Sequence, residues 1–380
     1  MKITDIRTAI IEANFPWNLI RIYTDTGLVG LGEAYWGPGI MDVIAHLTPR
    51  LVGKDPLEVD KLWTYMMNVM SGPGSVAGAT VAAISGIEIA LLDLVGKQLK
   101  TPVYQLLGGK FRDRVHVYAD SHAPDMADSA AWQARALQVR ERGFDALKFD
   151  LDSLVFDLQT DGYNRTLSNQ AIRRMVDRVL AVTEVLGPDI DLALDCHWSY
   201  NVTDAICVAQ ALEPFSLLWL EDPTPPDNVD ALARVSAATR TPICTGENLY
   251  TRHGFRPLIE KGACRIIQPD IPRCGGLLES KRIADLADMY YIPFAAHNVC
   301  SPVGTLACAH VCAAIRTFTM LEFHSQDVTW WDAMVGREDD PLIKNSYLAL
   351  SDQPGLGVEL NDTVCRKHVR PGTTYFGEAV

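Results

Sequence analysis

Short apolar runs that end in an ionisable residue recur through the second half of the chain. One such run ends at Asp195, and the later ones follow at intervals of 23 to 27 residues, ending at Glu221, Glu247, Asp270, His297 and Glu322. Carboxylates are seldom fully buried unless they are paired or bind a metal, so these ends are poorly placed for stability. The repeat therefore predicts buried strands whose ends carry a function.

Two earlier runs, RVHVYAD and DALKFD, bring the number of predicted strands to eight, and helical segments separate them. Strands that are apolar throughout and alternate with helices indicate parallel pairing. Eight such units predict an α/β fold of the (β/α)8 barrel type. A doubly wound sheet is the alternative, but no GxGxxG fingerprint follows a strand. In a barrel, catalytic groups lie at the carboxyl ends of the strands.

The first part of the chain has a different pattern. Alternating apolar and polar positions predict antiparallel strands up to about residue 35, and helical periodicity follows up to about residue 110. We expect an α+β unit at 1–112, the barrel at 113–325, and a C-terminal segment at 326–380 that packs back on the first unit. The polar stretch 151–169 is longer than most strand-to-helix loops, so it is either a functional flap or a surface excursion.

Composition limits the possible partners and the compartment. The hydrophobic content is 48%, the formal net charge is −13, and Lys and Arg form no long run. Nucleic acid and anionic membranes are therefore not expected as partners. The nine cysteines include no CxxC pair and several lie in apolar runs, which is typical of reduced core residues. The N-terminus has no signal-peptide block and no membrane span is evident, so we expect a cytoplasmic protein.

Three of the strand-end carboxylates belong to consecutive strands. Asp195, Glu221 and Glu247 would repel one another strongly if they met without a counter-charge. Three oxygen ligands that leave coordination positions open suit Mg²⁺, which keeps waters or takes substrate oxygens. The alternative is three separate salt bridges at the rim. The shared register of the three residues favours a metal site.

The next two strand ends place a carboxylate beside an imidazole. Asp270 next to His297 would fix the imidazole tautomer and raise its basicity, as in a general base. The alternative is a core histidine that caps a loop carbonyl. His197 follows Asp195 by two residues and has three possible roles: a fourth ligand, a structural histidine or a general acid.

Five further residues complete the candidate site. Lys148 and Asp150 share one face of their strand, so Lys148 either faces the interior and binds an anionic substrate or pairs only with Asp150. Glu322 closes the ring as a protonated hydrogen-bond donor or as a simple rim acid. Trp17 and Trp330 are candidate walls of a substrate site, with ordinary core or surface packing as the alternative.

Taken together, these residues resemble the enolase superfamily, in its mandelate racemase and muconate lactonizing enzyme group. The stretch AAISGIEIALLDLVGKQLKTPVYQLLGG is similar to the family's N-terminal-domain stretch. The resemblance implies a modified TIM barrel, (β/α)7β, beneath an N-terminal capping domain. It also implies a Mg²⁺ site at the three carboxylates, an Asp270–His297 dyad and a last-strand glutamate at Glu322.

The Asp-x-His motif at Asp195 and His197 resembles acid-sugar dehydratases of the galactonate dehydratase kind. The resemblance implies a hydro-lyase in which His297 removes the α-proton, Mg²⁺ stabilises the enediolate, and His197 protonates the departing β-hydroxyl. The product would be a 2-keto-3-deoxy sugar acid, and the protein a homo-oligomer. The motif Lys148-Phe149-Asp150 departs from the Lys-x-Lys of racemases, which disfavours two-base racemisation. Asp150 is left to orient Lys148 or His197, or to contact a substrate hydroxyl.

Other activities share most of these residues. A cycloisomerase, racemase or epimerase acting on a related sugar acid or lactone needs no leaving-group acid, and a non-catalytic ligand-binding relative needs no base. The sequence does not specify which sugar acid is bound. In the family the N-terminal domain sets specificity, so the candidate segments are Phe15 to Asn18, Ser71 to Gly78, and the insertion after Asp150.

Overall fold

The computed structural model describes residues 1–72, 75–125, 128–153 and 163–379. The chain begins with an antiparallel sheet of three strands, β1 (Ile3–Glu12), β2 (Pro16–Thr24) and β3 (Val29–Ala34), in the order β1-β2-β3. Four helices follow: α1 (Ile40–Leu51), α2 (Val59–Ser71), α3 (Ala79–Leu99) and α4 (Val103–Leu106). We call the elements β1 to α4 the capping region.

The capping region is held together by close packing of β3 against α3. A Cβ atom on Gly32 of β3 would lie 2.5 Å from the carbonyl oxygen of Gly86 on α3, and one on Gly86 would lie 2.7 Å from the amide nitrogen of Ala34. Such an approach leaves no room for a side chain, so only glycine fits at these two positions. Helix α3 is long and apolar enough to cross a membrane, but 94% of its most apolar window is buried in the protein. Its burial is typical of a core helix.

Eight parallel strands follow and close into a barrel. Helices connect the strands, with α10 and α11 sharing one connection, so the order is β4 (Arg114–Asp120), α5 (Ser129–Glu141), β5 (Ala146–Asp150), α6 (Asn169–Leu186), β6 (Asp191–Asp195), α7 (Val202–Ala211), β7 (Trp219–Glu221), α8 (Val229–Ala237), β8 (Ile243–Thr245), α9 (Thr251–Glu260), β9 (Ile266–Ile267), α10 (Ile271–Cys274), α11 (Leu277–Asp288), β10 (Phe294–Ala296), α12 (Pro302–Ala314) and β11 (Phe318–Phe323).

Pairing of the last barrel strand with the first decides between the two predicted architectures. Leu321 of β11 lies opposite Val117 of β4 in a parallel pair, so the sheet has no open edge between them. A doubly wound sheet would leave both strands unpaired on one side. The predicted modified TIM barrel, (β/α)7β with an N-terminal cap, is confirmed.

Two buried carboxylates of the capping region bind the first turns of barrel helices. Glu33 accepts hydrogen bonds from the amides of Ser301 (3.0 Å) and Gly304 (2.8 Å) at the start of α12. Glu88 accepts hydrogen bonds from Leu277 (2.8 Å) and the following residue at the start of α11. The free amides and the positive dipole end of a helix start favour such anions. These contacts hold the capping region over the barrel.

The C-terminal segment contacts both regions. Strands β12 (Ile343–Lys344) and β13 (Tyr347–Ala349) form a hairpin, and β13 pairs antiparallel with the first half of β4. Beyond α13 (Asp362–Cys365), Val369 forms a bridge with Ile11 of β1. The domain boundaries at 112 and 325 remain predictions. Of the stretch 151–169, residues 154–162 lie outside the described residues, as do 73–74 of the glycine-rich segment.

Candidate active site

The carboxyl ends of the barrel strands surround a cavity of about 400 Å³ beneath the capping region. The capping region contributes Phe15, Tyr35 and Trp36 to its wall. The barrel contributes six residues of the predicted site: Lys148, Asp150, Asp195, His197, Glu247 and His297. The parallel register explains this convergence, because Asp150, Asp195 and Glu221 end three neighbouring strands and lie opposite one another in the ladder.

The three predicted metal ligands form one buried cluster. Oxygen atoms of Asp195, Glu221 and Glu247 lie within 4.8 Å of one another. The indole Nε1 of Trp219 donates a hydrogen bond to Oε2 of Glu221 (2.9 Å), which fixes that carboxylate. Burial and the neighbouring charge of Asp195 raise the pKa of Glu221 well above its usual value. Burial would also raise the pKa of Asp195, but Lys148 and His197 outweigh it and hold that pKa low.

This oxygen-only set fits a hard divalent cation. The ligands come from consecutive strands, are almost fully buried, and repel one another, as the raised pKa of Glu221 indicates. Mg²⁺ prefers carboxylate oxygens and retains open positions for water or substrate. The residues present therefore fit the group that the sequence implies.

Lys148 faces the barrel interior and is almost fully buried. Its Nζ lies 2.8 Å from Oε1 of Glu221, 3.1 Å from Oδ2 of Asp195 and 2.9 Å from Oε1 of Glu322. Burial lowers the pKa of Lys148, but these carboxylates outweigh burial and raise it well above its usual value. The surrounding carboxylates therefore favour the charged form of Lys148. Of the two arrangements expected from the sequence, the interior one is observed.

His297 and Asp270 form the expected contact. Nδ1 of His297 lies 2.7 Å from Oδ2 of Asp270, and Nε2 lies 3.1 Å from Oε2 of Glu247. Burial alone would lower the pKa of His297, but Glu247, Glu322 and Asp270 outweigh it and raise the pKa to about 10. Because Nδ1 is held by Asp270, Nε2 is the nitrogen left to exchange a proton with a ligand in the cavity.

His197 lies just past the end of β6 on strained backbone. Its φ angle is +41°, and that of Trp198 is +58°, in the left-handed region that non-glycine residues rarely adopt. The amide of His197 donates to Oδ1 of Asp195 (3.0 Å), and Nδ1 lies 3.1 Å from Oδ1 of Asp152. Burial lowers the pKa of His197, but Asp152 and Asp195 outweigh it and raise the pKa to about 11. The contact with Asp152 thus favours the charged imidazole at the cavity wall.

Glu322 is not a rim acid, because its side chain is fully buried. Its Oε2 accepts a hydrogen bond from the amide of Asn298 (3.0 Å), while Oε1 faces Lys148. Burial raises its pKa, although Lys148 acts against that rise. Glu322 therefore lies beneath the cavity and helps to fix Lys148.

The two predicted tryptophan walls pack away from the cavity. Trp17 is buried and donates from Nε1 to the carbonyl of Val299 (3.1 Å). Trp330 packs edge-to-face on Trp17, with ring centroids 5.6 Å apart, and stacks on His368 at 3.6 Å. Neither is among the described residues that line the cavity. Their role in substrate binding stays a prediction. The packing observed matches the alternative, in which both are ordinary core or surface residues.

Sequence reasoning missed four polar residues at the mouth. Asp120, His122 and His324 line the cavity, and Asp152 holds His197. Asp120 ends β4, and His324 follows Glu322 by two residues, just as His197 follows Asp195. Applying the strand-end rule to the first strand, and the two-residue offset to the last, would have found both. Asp150 contacts His122, with Oδ2 3.0 Å from Nδ1, and not Lys148.

Comparison with known proteins adds an independent line of evidence. The family description "Mandelate racemase / muconate lactonizing enzyme, N-terminal domain" matches residues 7–108, and "Enolase C-terminal domain-like" matches residues 130–364. The D-xylonate dehydratase of Haloferax volcanii is 48% identical over 378 residues, which cover 99% of this chain and 91% of that protein. The D-galactonate dehydratase of Xanthomonas campestris is 30% identical over 379 residues, covering 97% of this chain and 94% of that protein.

A solved structure agrees with these matches. The mandelate racemase/muconate lactonizing enzyme-like protein from Rubrobacter xylanophilus has a TM-score of 0.95 and 44% identity, and the alignment covers 99% of both chains. The similarity spans the capping region, the barrel and the C-terminal segment alike.

Proposed function

The chain belongs to the mandelate racemase and muconate lactonizing enzyme group of the enolase superfamily, and from this premise we propose that it is a Mg²⁺-dependent acid-sugar dehydratase. The substrate is a monocarboxylic or dicarboxylic sugar acid, and the product is a 2-keto-3-deoxy acid. The names of the two dehydratase relatives make D-xylonate and D-galactonate the first acids to test.

One observation carries the proposal. His197 follows β6 and His297 follows β10, four strands apart on a ring of eight, with the carboxylate cluster between them. Nε2 of His197 lies 3.7 Å from Oδ2 of Asp195, and Nε2 of His297 lies 3.1 Å from Oε2 of Glu247. An elimination needs a base for the α-proton and an acid for the leaving hydroxyl, and the positions of the two imidazoles support this pairing of roles.

The chain's own residues account for the first step. Lys148 places a positive charge beside Asp195 and Glu221, next to where a substrate carboxylate would meet a cation held by these residues. Asp195, Glu221 and Glu247 would hold a divalent cation, which would supply further positive charge against the dianion formed when the α-proton leaves. Glu247 is the main cause of the raised pKa of His297, so a cation that offsets the charge of this carboxylate would leave Nε2 of His297 free to take the α-proton. Asp270 holds Nδ1 and would stabilise the imidazolium that forms.

The second step requires an acid because hydroxide is a poor leaving group. His197, held charged by Asp152, transfers a proton from Nε2 to the β-hydroxyl as the carbon–oxygen bond breaks. Water is released and the remaining enol becomes a 2-keto acid. A cavity of about 400 Å³ accommodates a single sugar acid and excludes a polymer.

The test is incubation of the purified protein with Mg²⁺ and a panel of aldonic and aldaric acids, followed by a 2-keto acid assay and mass spectrometry. Dehydration lowers the product mass by one water. A cycloisomerase, racemase or epimerase leaves the mass unchanged, and a non-catalytic binding protein gives no exchange of the α-proton in D₂O. Failure to lose water from every acid in the panel would refute the dehydratase assignment.

Compartment and assembly are part of the same proposal. All nine cysteines are free thiols in the structure, and eight are buried, which supports a reducing, cytoplasmic location. The family resemblance supports a homo-oligomer. Light scattering after size-exclusion chromatography measures the mass directly, and a value near 41.9 kDa would contradict it.

A further inference from the structure

Three histidines line the cavity with the same construction. His297 contacts Asp270 through Nδ1 (2.7 Å), and His197 contacts Asp152 through Nδ1 (3.1 Å). The third, His122, contacts Asp150 through Nδ1 at 3.0 Å. A carboxylate on Nδ1 fixes the ring and leaves Nε2 for proton exchange. The base and the acid of the proposed dehydration account for two of these pairs, and the third has no role in it.

The His122–Asp150 pair lies beside the acid. Asp150 ends β5 and lies opposite Asp195 in the ladder, and His122 follows the adjacent strand β4 by two residues. Both side chains line the cavity, and His122 is 43% exposed whereas Asp150 is 15% exposed. The pair therefore approaches the ligand on the His197 side of the ring.

The charge state suits a proton donor. The hydrogen bond to Asp150 raises the pKa of His122, and although burial acts against it the pKa reaches about 9. Nε2 of His122 lies 3.0 Å from Nε2 of His324. Burial, reinforced by the charge of His122, lowers the pKa of His324 to about 4. At neutral pH the shared proton therefore resides on His122, next to a neutral acceptor.

Dehydration requires a second proton transfer, in which a proton is added to C3, the carbon that loses the hydroxyl. Loss of water leaves an enol with a double bond between C2 and C3, and its conversion to a 2-keto acid requires a proton at C3. His197 has just given its proton to the hydroxyl that left C3. We propose that His122, positioned by Asp150, is a further catalytic residue that protonates C3, an inference that rests on the proposed dehydration.

The step is balanced. The π electrons of C2=C3 take the Nε2 proton of His122 to form the new C3–H bond, and the electrons of the C2 O–H bond become the second bond of the ketone. That hydroxyl proton passes to water, and the neutral His122 regains a proton from solvent through its exposed face. No oxidant, reductant or co-reactant is consumed.

Deuterium labelling of the product tests this step. In D₂O the wild-type protein is expected to place one deuterium at C3 in a single prochiral position, read by proton NMR of the 2-keto acid. The variant His122→Asn is expected to eliminate water at a reduced, measurable rate and to give deuterium in both C3 positions, because the enol then ketonises in solution. Asp150→Asn, which removes only the positioning carboxylate, is expected to give a partial loss of stereospecificity.

The control is the pair His116 and Asp145, with Nε2 of His116 2.7 Å from Oδ1 of Asp145. His116 is also on β4, near its other end, where it lies opposite Tyr347, so His116→Asn should leave both rate and labelling unchanged.

Deuterium in a single position with His122→Asn would overturn the inference, as would a raised KM with intact stereospecificity, which would make His122 a hydroxyl-binding residue. Loss of elimination itself in a folded His122→Asn protein would also overturn it. Absence of water loss by the wild type would instead refute the proposed function.

Discussion

Oδ1 of Asp152 lies 3.1 Å from Nδ1 of His197, and this contact favours the protonated imidazole that the proposed acid role of His197 requires. Asp152 follows β5 by two residues, whereas His197 follows β6, so neighbouring strand ends build the pair. His197 has a left-handed backbone conformation, and its ring contacts Asp152 and lines the cavity. The proposed acid, His197, is therefore separate from the proposed base, His297.

Because the two histidines act on different bonds, removing His197 should separate elimination from enolisation. We expect His197→Asn to slow water loss by about 10²- to 10⁴-fold, the usual contribution of a general acid. Exchange of the α-proton with D₂O should persist, since His297 is untouched. Dehydration at the wild-type rate would show that the acid assignment is wrong.

Removing the base should abolish both processes. We expect His297→Asn to eliminate α-proton exchange in D₂O as well as product formation. Asp270→Asn should lower both by a smaller factor, because it leaves the imidazole in place but removes the carboxylate that fixes its tautomer. Proton NMR of the substrate in D₂O measures the exchange, and exchange by His297→Asn at the wild-type rate would contradict the assignment.

Metal binding should stabilise the fold through the carboxylate cluster. At a Mg²⁺ concentration 100 times its Kd, linkage gives about 2.7 kcal/mol of added stability. We expect Tm to rise with Mg²⁺ and to fall again with EDTA, and Asp195→Asn to weaken the response strongly. Asp191→Asn, at the exposed start of the same strand, is the matched control and should respond like the wild type. An equal Mg²⁺ response in Asp195→Asn would argue against the site.

Acid stability should depend on His310, which lies within helix α12 away from the site. Its Nδ1 accepts the amide hydrogen of Tyr104 (3.0 Å) and its Nε2 contacts the carbonyl of Leu356 (3.3 Å), which requires a neutral ring. Burial lowers its pKa to about 4. The unfolded chain, with a pKa near 6.5, binds more protons between these values, so stability falls as pH falls from about 6.5 to 4.

The size of this effect is about 3 kcal/mol, because each pKa unit corresponds to about 1.4 kcal/mol. The variant His310→Gln can keep an acceptor and a donor but does not titrate. We expect its free energy of unfolding in urea to be lower at pH 7 and less dependent on pH between 4 and 7 than that of the wild type. If the free energy of unfolding changed with pH by the same amount in the two proteins, the titration of His310 would not contribute to acid stability.

The strand ends were predictable because two simple rules place them. A buried strand ends where its apolar run ends, and parallel register brings those ends to one face of the barrel. Hence Asp195, Glu221 and Glu247 could be grouped from spacing alone, and the barrel and family predictions are confirmed. Asp270 and His297 follow the same rules.

Residues beyond the strand ends could not be placed in this way. Asp152 and His122 lie beyond the strand ends, where the path of the chain depends on packing that no period in the sequence encodes; His324 is an exception, because its two-residue offset from Glu322 repeats that of His197 from Asp195. The sequence also left two partners open for Lys148, since period two sets the face of a strand but not the contact made there. For Trp17 and Trp330 the sequence left both alternatives open, because an aromatic residue near a loop is as easily buried as exposed to a ligand, and their role as walls stays a prediction.

The hydrogen bonds that Glu33 and Glu88 accept from the first turns of α12 and α11 have a consequence for unfolding. If the capping region opened alone, two helix starts in the barrel would lose the anions that bind their amides, and two buried carboxylates would lose their donors. Opening one region while the other stays folded therefore has a high free-energy cost, so both regions should unfold in one calorimetric transition. The amide hydrogens of Gly304 and Leu277 should then exchange with solvent only when the whole molecule unfolds.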